Sequence, residues 1–251
     1  MRINESGHII NATNFVNKCL LLKEAGLNYN PSNEEIKLAV LEPLGAEVSK
    51  SIAAVSVAND NNVNAQASRK AQFIQSDDLA RKAVNILKSS GADDQTVEHA
   101  RFLFQKLKGT RIGDLPNAEA IRSEAAAKGL EPQIPNTVSV SQRSYDQRLA
   151  RFRDLVSYLK SIAKYNPNEE DLKVASLVTF ADAMETLNKQ VLSTGDVISK
   201  ARAKRNDLLY RKSDGAYWLS IKAIEYVKGT SGLKSELYKA LVKHPMRNYG
   251  N

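Results

Sequence analysis

Four carboxylates stand in two nearly identical phrases of the chain, and they are the first candidates for a chemical site. The phrases read YNPSNEEIKLA from Tyr29 and YNPNEEDLKVA from Tyr165. Carboxylate oxygens bind divalent cations, and the candidates here are Glu34, Glu35, Glu169 and Glu170. No histidine or further aspartate stands at a suitable spacing, and helix starts, where the macrodipole favours negative charge, have the same composition. We therefore interpret the phrases as helix–turn–helix joints and predict no metal.

The histidines and the cysteine also lack the spacing of a catalytic group. His8, His99 and His244 are isolated, without H-x-x-x-H or a nearby cysteine, so we expect them on solvated helix surfaces. Cys19 lies in an apolar stretch and is predicted to be a packed core thiol. The motifs G-x-x-x-x-G-K-[ST], G-x-G-x-x-G and G-x-S-x-G are absent. These patterns favour a protein that is not an enzyme and has no cofactor.

The basic residues are the remaining candidates for a functional surface. The formal net charge is +8, and residues 142–251 hold the excess, with 20 Lys and Arg against 12 Asp and Glu. A nucleic-acid backbone would need several cations on one side of the molecule. The candidate contacts for nucleic acid or a protein partner are Arg143, Arg148, Arg151, Arg153, Lys200, Lys204, Arg205 and Arg211. An ordinary solvated face and a charge-complementary subunit contact are the alternatives, since aspartates interrupt these runs and no binding signature accompanies them.

The elements that position these residues are predicted to be helices throughout. Ser32 and Glu35 have the spacing of a capping box at the start of a helix, and Asn168 with Asp171 is a weaker counterpart. Apolar periodicity and turn residues predict four helices in each half of the chain. In the first half the approximate spans are 8–27, a helix that ends at 58 and is bent at Pro43, 64–89, and 93–109. In the second half they are 143–164, 169–192, 196–228 and 231–243. A turn is expected at Asn59–Asn64, and a break near Lys212–Gly215.

The two halves resemble each other along most of their length. NFVNKCLLLKEAGLNYNP matches RFRDLVSYLKSIAKYNP around the first joint, and AVNILKSSG matches AIEYVKGTSG further along. Because the order of the matches is preserved, we infer an internal duplication. The fold class expected is all-α, with two homologous elongated bundles of about four helices. The expected domains are helical repeat 1 at 1–109, a linker with a short helix at 110–141, and helical repeat 2 at 142–251.

The composition and the apolar stretches of the chain indicate in which cellular compartment we expect the protein. An apolar content of 42% and a charged content of 25% are ordinary for a globular protein. No apolar stretch reaches the length of a membrane span, no signal peptide is evident, and the single cysteine indicates no need for an oxidising compartment. We expect a cytoplasmic protein without membrane contact.

The chain also resembles a family of uncharacterised helical proteins of Bacteroidota. The resemblance is carried by NESGHIINATNF at Asn4–Phe15, the two YNP phrases and AIEYVKG at Ala223–Gly229. It implies a duplicated all-helical fold and carries no catalytic residues over.

Together these observations predict a non-enzymatic structural or interaction protein that self-assembles through its duplicated bundles, as a homo-oligomer or larger protein assembly. The alternative is a basic nucleic-acid-associated protein that uses the second half of the chain.

Overall fold

The computed structural model describes residues 5–109 and 144–250, and all regular secondary structure within these ranges is helical. The predicted all-α class is therefore confirmed for the described residues. The α-helices of these ranges are α1 Glu5–Glu24, α2 Leu38–Ser89, α3 Asp94–Lys108, α4 Tyr145–Lys160, α5 Val174–Tyr210, α6 Ala216–Ser231 and α7 Glu236–Val242. Short 3-10 helices lie at Gly26–Asn28, Glu34–Ile36 and Glu170–Leu172. None of the described helices combines the length and apolarity needed to cross a membrane.

Each YNP phrase forms a joint in which a buried tyrosine fixes a 3-10 turn. Tyr29 donates a hydrogen bond from Oη to the carbonyl of Ile36 at 2.6 Å, and Tyr165 donates one to the carbonyl of Leu172 at 2.8 Å. Ile36 and Leu172 are buried. The α-helix that follows begins two residues after this turn, at Leu38 in the first joint and at Val174 in the second.

The capping prediction for the first joint was wrong in its residues. Asn33, not Ser32, is the N-cap, and its side chain accepts a hydrogen bond from the Glu35 amide at 3.0 Å. In the second joint the N-cap is Glu169, which makes no side-chain cap. Both joints hold an exposed ion pair of 2.5 Å, between Lys37 and Glu34 and between Lys173 and Glu170.

Helix α2 is continuous where a turn was expected at Asn59–Asn64. The stretch from Gly45 to Gly91 holds neither glycine nor proline between these ends. Val55, Ala58 and Ala65 are buried at helical spacing, so the apolar stripe continues through the asparagines. Asparagine is only a weak helix breaker, and burial of the stripe outweighs its preference.

Helix α5 likewise runs through the expected boundary near residue 195, whereas the break near Lys212–Gly215 is confirmed. Gly195 is tolerated inside the helix at a cost of about 1 kcal/mol relative to alanine. At Gly215 a Cβ atom would lie 2.6 Å from the backbone N and O of Arg211. Glycine is therefore required for the tight turn between α5 and α6.

The chain forms two compact units. The terminal unit comprises Met1–Asn64 and Ser193–Asn251, and the central unit comprises Ala65–Leu192. The core of the terminal unit includes Phe15 and Leu22 of α1 with Leu219 of α6. The core of the central unit includes Phe73 of α2 with Phe152 of α4. Each unit therefore takes helices from both halves of the sequence.

These units are not the two sequence repeats that we predict. A repeat is defined by matched sequence, whereas a unit is defined by contact in space, so the repeat boundaries stay a prediction. The linker at 110–141 and its short helix lie outside the described residues.

Candidate functional site

The predicted basic contacts of α4 are engaged within the central unit. Arg148 donates to the Phe73 carbonyl at 2.6 Å and pairs with Asp77 at 2.9 Å. Arg151 pairs with Asp154 at 3.2 Å. Arg153 contacts two carboxylates, Asp182 at 2.9 Å and Glu185 at 2.6 Å; hydrogen bonds from Lys189 and Arg153 lower the pKa of Glu185 to about 2. Arg143 lies outside the described residues.

The predicted basic contacts of α5 belong to the terminal unit and divide into two kinds. The side chain of Arg205 is only 3% exposed and pairs with Glu5, and the exposed Arg211 pairs with Asp207 at 2.9 Å and with Asp214. Lys200 and Lys204 are exposed and have no ion pair among the residues that the structure describes. The seven candidates that the structure describes are therefore divided between the two units. Their binding role stays a prediction, and it depends most on Lys200 and Lys204.

The described ranges contain no group of three or more His, Cys, Asp and Glu side chains that could hold a metal ion. The side chains of Glu34 and Glu170 are 79% and 81% exposed, and Glu35 pairs with Lys222 at 2.6 Å. Cys19 is buried, donates to the Leu41 carbonyl at 3.6 Å, and has its pKa raised to about 12 by burial. Its thiol is thus kept protonated, in agreement with a core role.

A more organised site lies along one face of α1. We call this face the polar stripe; its members are Glu5, His8, Asn11, Asn14 and Lys18. Their spacing of three or four residues places them on one side of a helix. In the terminal unit this side faces the end of α5, α6 and the residues that follow α7. Among the described residues, these five side chains take part in seven hydrogen bonds to residues about 200 or more positions away in the sequence.

His8 is buried, so the prediction that it lies on a solvated surface was wrong. It is 3% exposed, and its Nδ1 lies 2.8 Å from Tyr210 Oη. Asn11 Nδ2 donates to the same oxygen at 2.9 Å, which leaves the phenol proton for a hydrogen bond to His8 when the imidazole Nδ1 is unprotonated. This assignment requires a neutral imidazole with its proton on Nε2. Burial, and next the charge of Arg205, lower the pKa of His8, which favours this neutral form.

The polar stripe also holds the end of the chain, residues 245–250, which we call the C-terminal strap. Asn14 donates to the Pro245 carbonyl at 2.7 Å. Asn11 and Arg247 form two hydrogen bonds, one in each direction. The Tyr249 ring stacks edge-on against His8 at 5.5 Å between centroids. Alternate residues of the extended strap therefore contact successive turns of α1.

Lys18 lies at the far end of the polar stripe, beside a cavity of about 200 Å³. It is 5% exposed, and its Nζ donates to Ser220 Oγ of α6 at 3.3 Å. Ser220 in turn donates to the Tyr217 carbonyl at 2.8 Å. Burial lowers the pKa of Lys18 from 10.5 to about 8. The lysine therefore titrates much closer to neutral pH than an exposed one.

One sequence pattern indicates this site, although motifs built on single residue types do not detect it. Glu5, His8, Asn11 and Asn14 recur every third residue on a helix whose other faces carry Phe15, Cys19 and Leu22. A polar stripe bordering an apolar one indicates buried polar contacts, but nothing local identifies their partners in α5, α6 and the strap.

No family model, curated protein or solved structure matches this chain. The resemblance to helical proteins of Bacteroidota therefore stays a prediction.

Proposed function

We propose that the protein is a non-enzymatic structural or interaction protein that self-assembles through duplicated helical bundles. The observation that carries this proposal is the repeated joint. Tyr29 and Tyr165 make the same hydrogen bond to a carbonyl seven residues later, beside the same lysine–glutamate ion pair. Two unrelated segments are not expected to share both the tyrosine hydrogen bond and the ion pair, so their repetition supports a duplication.

The burial of matched residues supports the same proposal. Phe15 and Phe152, and likewise Leu22 and Leu159, occupy equivalent places before their joints, and all four are at most 1% exposed. After the joints, Leu41 and Leu177 are each 1% exposed. The two halves thus use the same positions for their cores.

The composition of the units fits a duplicated chain as well. The terminal unit combines the opening helices of the first half with the closing helices of the second. The central unit combines the closing helices of the first half with the opening helices of the second. Each unit is therefore built from one opening segment and one closing segment.

A duplicated chain presents two similar surfaces, and similar surfaces that face different ways permit head-to-tail association. Leu27, in the first joint, is 99% exposed. An almost fully exposed leucine is unfavourable in water, and covering it by a second copy recovers about 2 kcal/mol of apolar burial. We infer that Leu27 lies in the contact between copies.

Light scattering across a wide concentration range, combined with negative-stain electron microscopy, tests the proposal. We expect species larger than the 27.7 kDa monomer that grow with concentration. Leu27→Glu is expected to shift them towards the monomer. The matched control is Leu192→Glu, since Leu192 is 70% exposed on α5 and outside the joint. A monomer at all concentrations without visible particles would overturn self-assembly.

A nucleic-acid-associated role of the second half is the alternative, and Lys200 with Lys204 is the observation that favours it. These exposed lysines lie one turn apart on α5, where they can contact neighbouring phosphates. A gel-shift titration across salt concentrations tests this role. Binding that weakens with salt, and weakens further in the Lys200→Glu/Lys204→Glu variant, is expected; no shift at low ionic strength rejects it.

A further inference from the structure

Lys18 and Arg205 are the two buried lysine and arginine residues of the described ranges, and only Arg205 has a counter-charge. Arg205 pairs with Glu5. No carboxylate of the described ranges lies within ion-pair distance of Lys18, and within these ranges its one hydrogen bond is the 3.3 Å contact to Ser220. A lysine ammonium has three donors. A buried cation without an anion is costly unless something supplies the negative charge.

The surroundings of Lys18 restrict what can supply that charge. The adjoining cavity of about 200 Å³ has the volume of about seven water molecules. Most of its wall is apolar, from Ile221 and Ile224 of α6, Leu241 of α7, and Pro245 and Met246 at the start of the strap. The lining residues with polar side-chain groups are Lys18, Tyr217, Ser220 and His244. A ligand that fits this lining has one small anionic group and a short apolar body.

We propose that this cavity binds a small organic carboxylate with a short aliphatic chain, with the Lys18 ammonium contacting the carboxylate. The ammonium provides the charge and two further donors. The aliphatic chain packs against Ile221, Ile224 and Met246, which accounts for the apolar wall. This inference goes beyond self-assembly and does not depend on it.

The strap is part of the site. Asn14 binds the carbonyl of Pro245, and Asn11 binds Arg247, on either side of Met246. The same stripe of α1 therefore carries the charged anchor and holds one wall of the cavity in place.

Calorimetric titration with hexanoate at neutral pH tests the proposal, with hexanol as the uncharged counterpart. We expect saturable binding of hexanoate to the unaltered protein and much weaker binding of hexanol. Lys18→Met fills a similar volume without the charge and should weaken hexanoate binding about tenfold or more. Lys50→Met, which removes an exposed lysine of α2, should leave it unchanged.

A second measurement needs no variant. In the unaltered protein hexanoate affinity should fall as pH rises above about 8, where Lys18 loses its proton. Absence of saturable hexanoate binding overturns the proposal. Equal affinity in the Lys18→Met variant, equal affinity for hexanol, or an affinity that does not change with alkaline pH overturns it as well.

Discussion

Asn11 and Arg247 form a reciprocal pair of hydrogen bonds across 236 residues of sequence. The Asn11 Nδ2 donates to the Arg247 carbonyl at 2.6 Å, and the Arg247 amide donates to Asn11 Oδ1 at 3.0 Å. The side-chain amide of Asn11 thus donates to and accepts from the backbone of one strap residue, as the backbone of a paired β-strand does. Because Asn11 is 2% exposed, these bonds are shielded from water, and they attach the end of the chain to its beginning.

Asn11→Ala is expected to release the strap. The change removes both bonds to Arg247 and the bond to Tyr210, and we expect a loss of about 2–3 kcal/mol in the free energy of unfolding. Urea denaturation measures the loss, and hydrogen exchange at the Arg247 amide should accelerate. Asn17→Ala on the same helix is the control, because Asn17 makes no side-chain hydrogen bond within the described part of the chain. An unchanged exchange rate at Arg247 would contradict the prediction.

The two joints are expected to respond alike to loss of their tyrosine hydroxyl. Tyr29→Phe and Tyr165→Phe each remove one buried hydrogen bond to a carbonyl, which costs about 1 kcal/mol. Thermal or urea unfolding of the two variants should give similar losses. Tyr238→Phe is the control, since its hydroxyl makes no hydrogen bond among the described residues. A large loss at one joint and none at the other would argue against equivalent joints.

Acid should destabilise the protein through His8. Its pKa is lower in the folded protein than the ordinary value of 6.5, so the unfolded chain binds the proton first as pH falls. Stability is therefore lost as pH decreases from about 6.5 towards the lower folded pKa. The neighbouring charges are Arg205, which lowers the pKa, and Glu5, which raises it.

Urea midpoints measured between neutral pH and pH 5 check this dependence. His8→Gln keeps an acceptor for Tyr210 and should flatten the curve, whereas His99→Gln changes an exposed histidine and should retain the acid loss. If the urea midpoints of the unaltered protein and of His8→Gln fall equally as pH decreases, a group other than His8 causes the loss of stability.

Lys18→Met should stabilise the protein at neutral pH. Since the folded pKa of about 8 lies below 10.5, the buried ammonium destabilises the native state by roughly 1–3 kcal/mol, and methionine removes that cost. As pH rises through 8 the native state loses the proton while the unfolded chain keeps it, so this cost disappears by about pH 10.5.

The stability difference between Lys18→Met and the unaltered protein should therefore narrow between pH 8 and 10.5. Taking the difference cancels the opposing titration of buried tyrosines such as Tyr210, whose pKa is raised. Because the charges of Cys19 and Lys18 interact, both proteins are compared in a Cys19→Ala background. Lys50→Met should show a constant difference. A Lys18→Met variant that is less stable at neutral pH would contradict the assignment.

Local chemistry determined the helical class and many of its boundaries. Asp93 caps α3, with its side chain accepting from the Thr96 amide at 2.8 Å, and Gly109 ends that helix with a φ of 65°. The break before Gly215 follows from the turn residues of Lys212–Gly215. Caps, glycines and apolar periodicity act over a few residues, so these features can be read directly from the chain.

The asparagines of 59–64 show where local signals fail. They suggest a turn, yet the buried stripe of Val55, Ala58 and Ala65 keeps α2 helical. Tertiary burial contributes more free energy than the weak local preference of asparagine.

Local sequence signals were thus sufficient to predict that the described residues are helical and where their joints lie, whereas the duplication of the two halves stays a prediction. The three-dimensional packing was needed to show which helices share a core and that His8 and Lys18 are buried, with Tyr210 and Ser220 as their respective partners. The physical reason is that an amphipathic pattern shows which face of a helix is buried but not against which neighbour. Closing a loop of 200 residues costs little more than closing one of 100, about 0.6 kcal/mol. Sequence distance therefore carries almost no information about such pairings, and packing selects them.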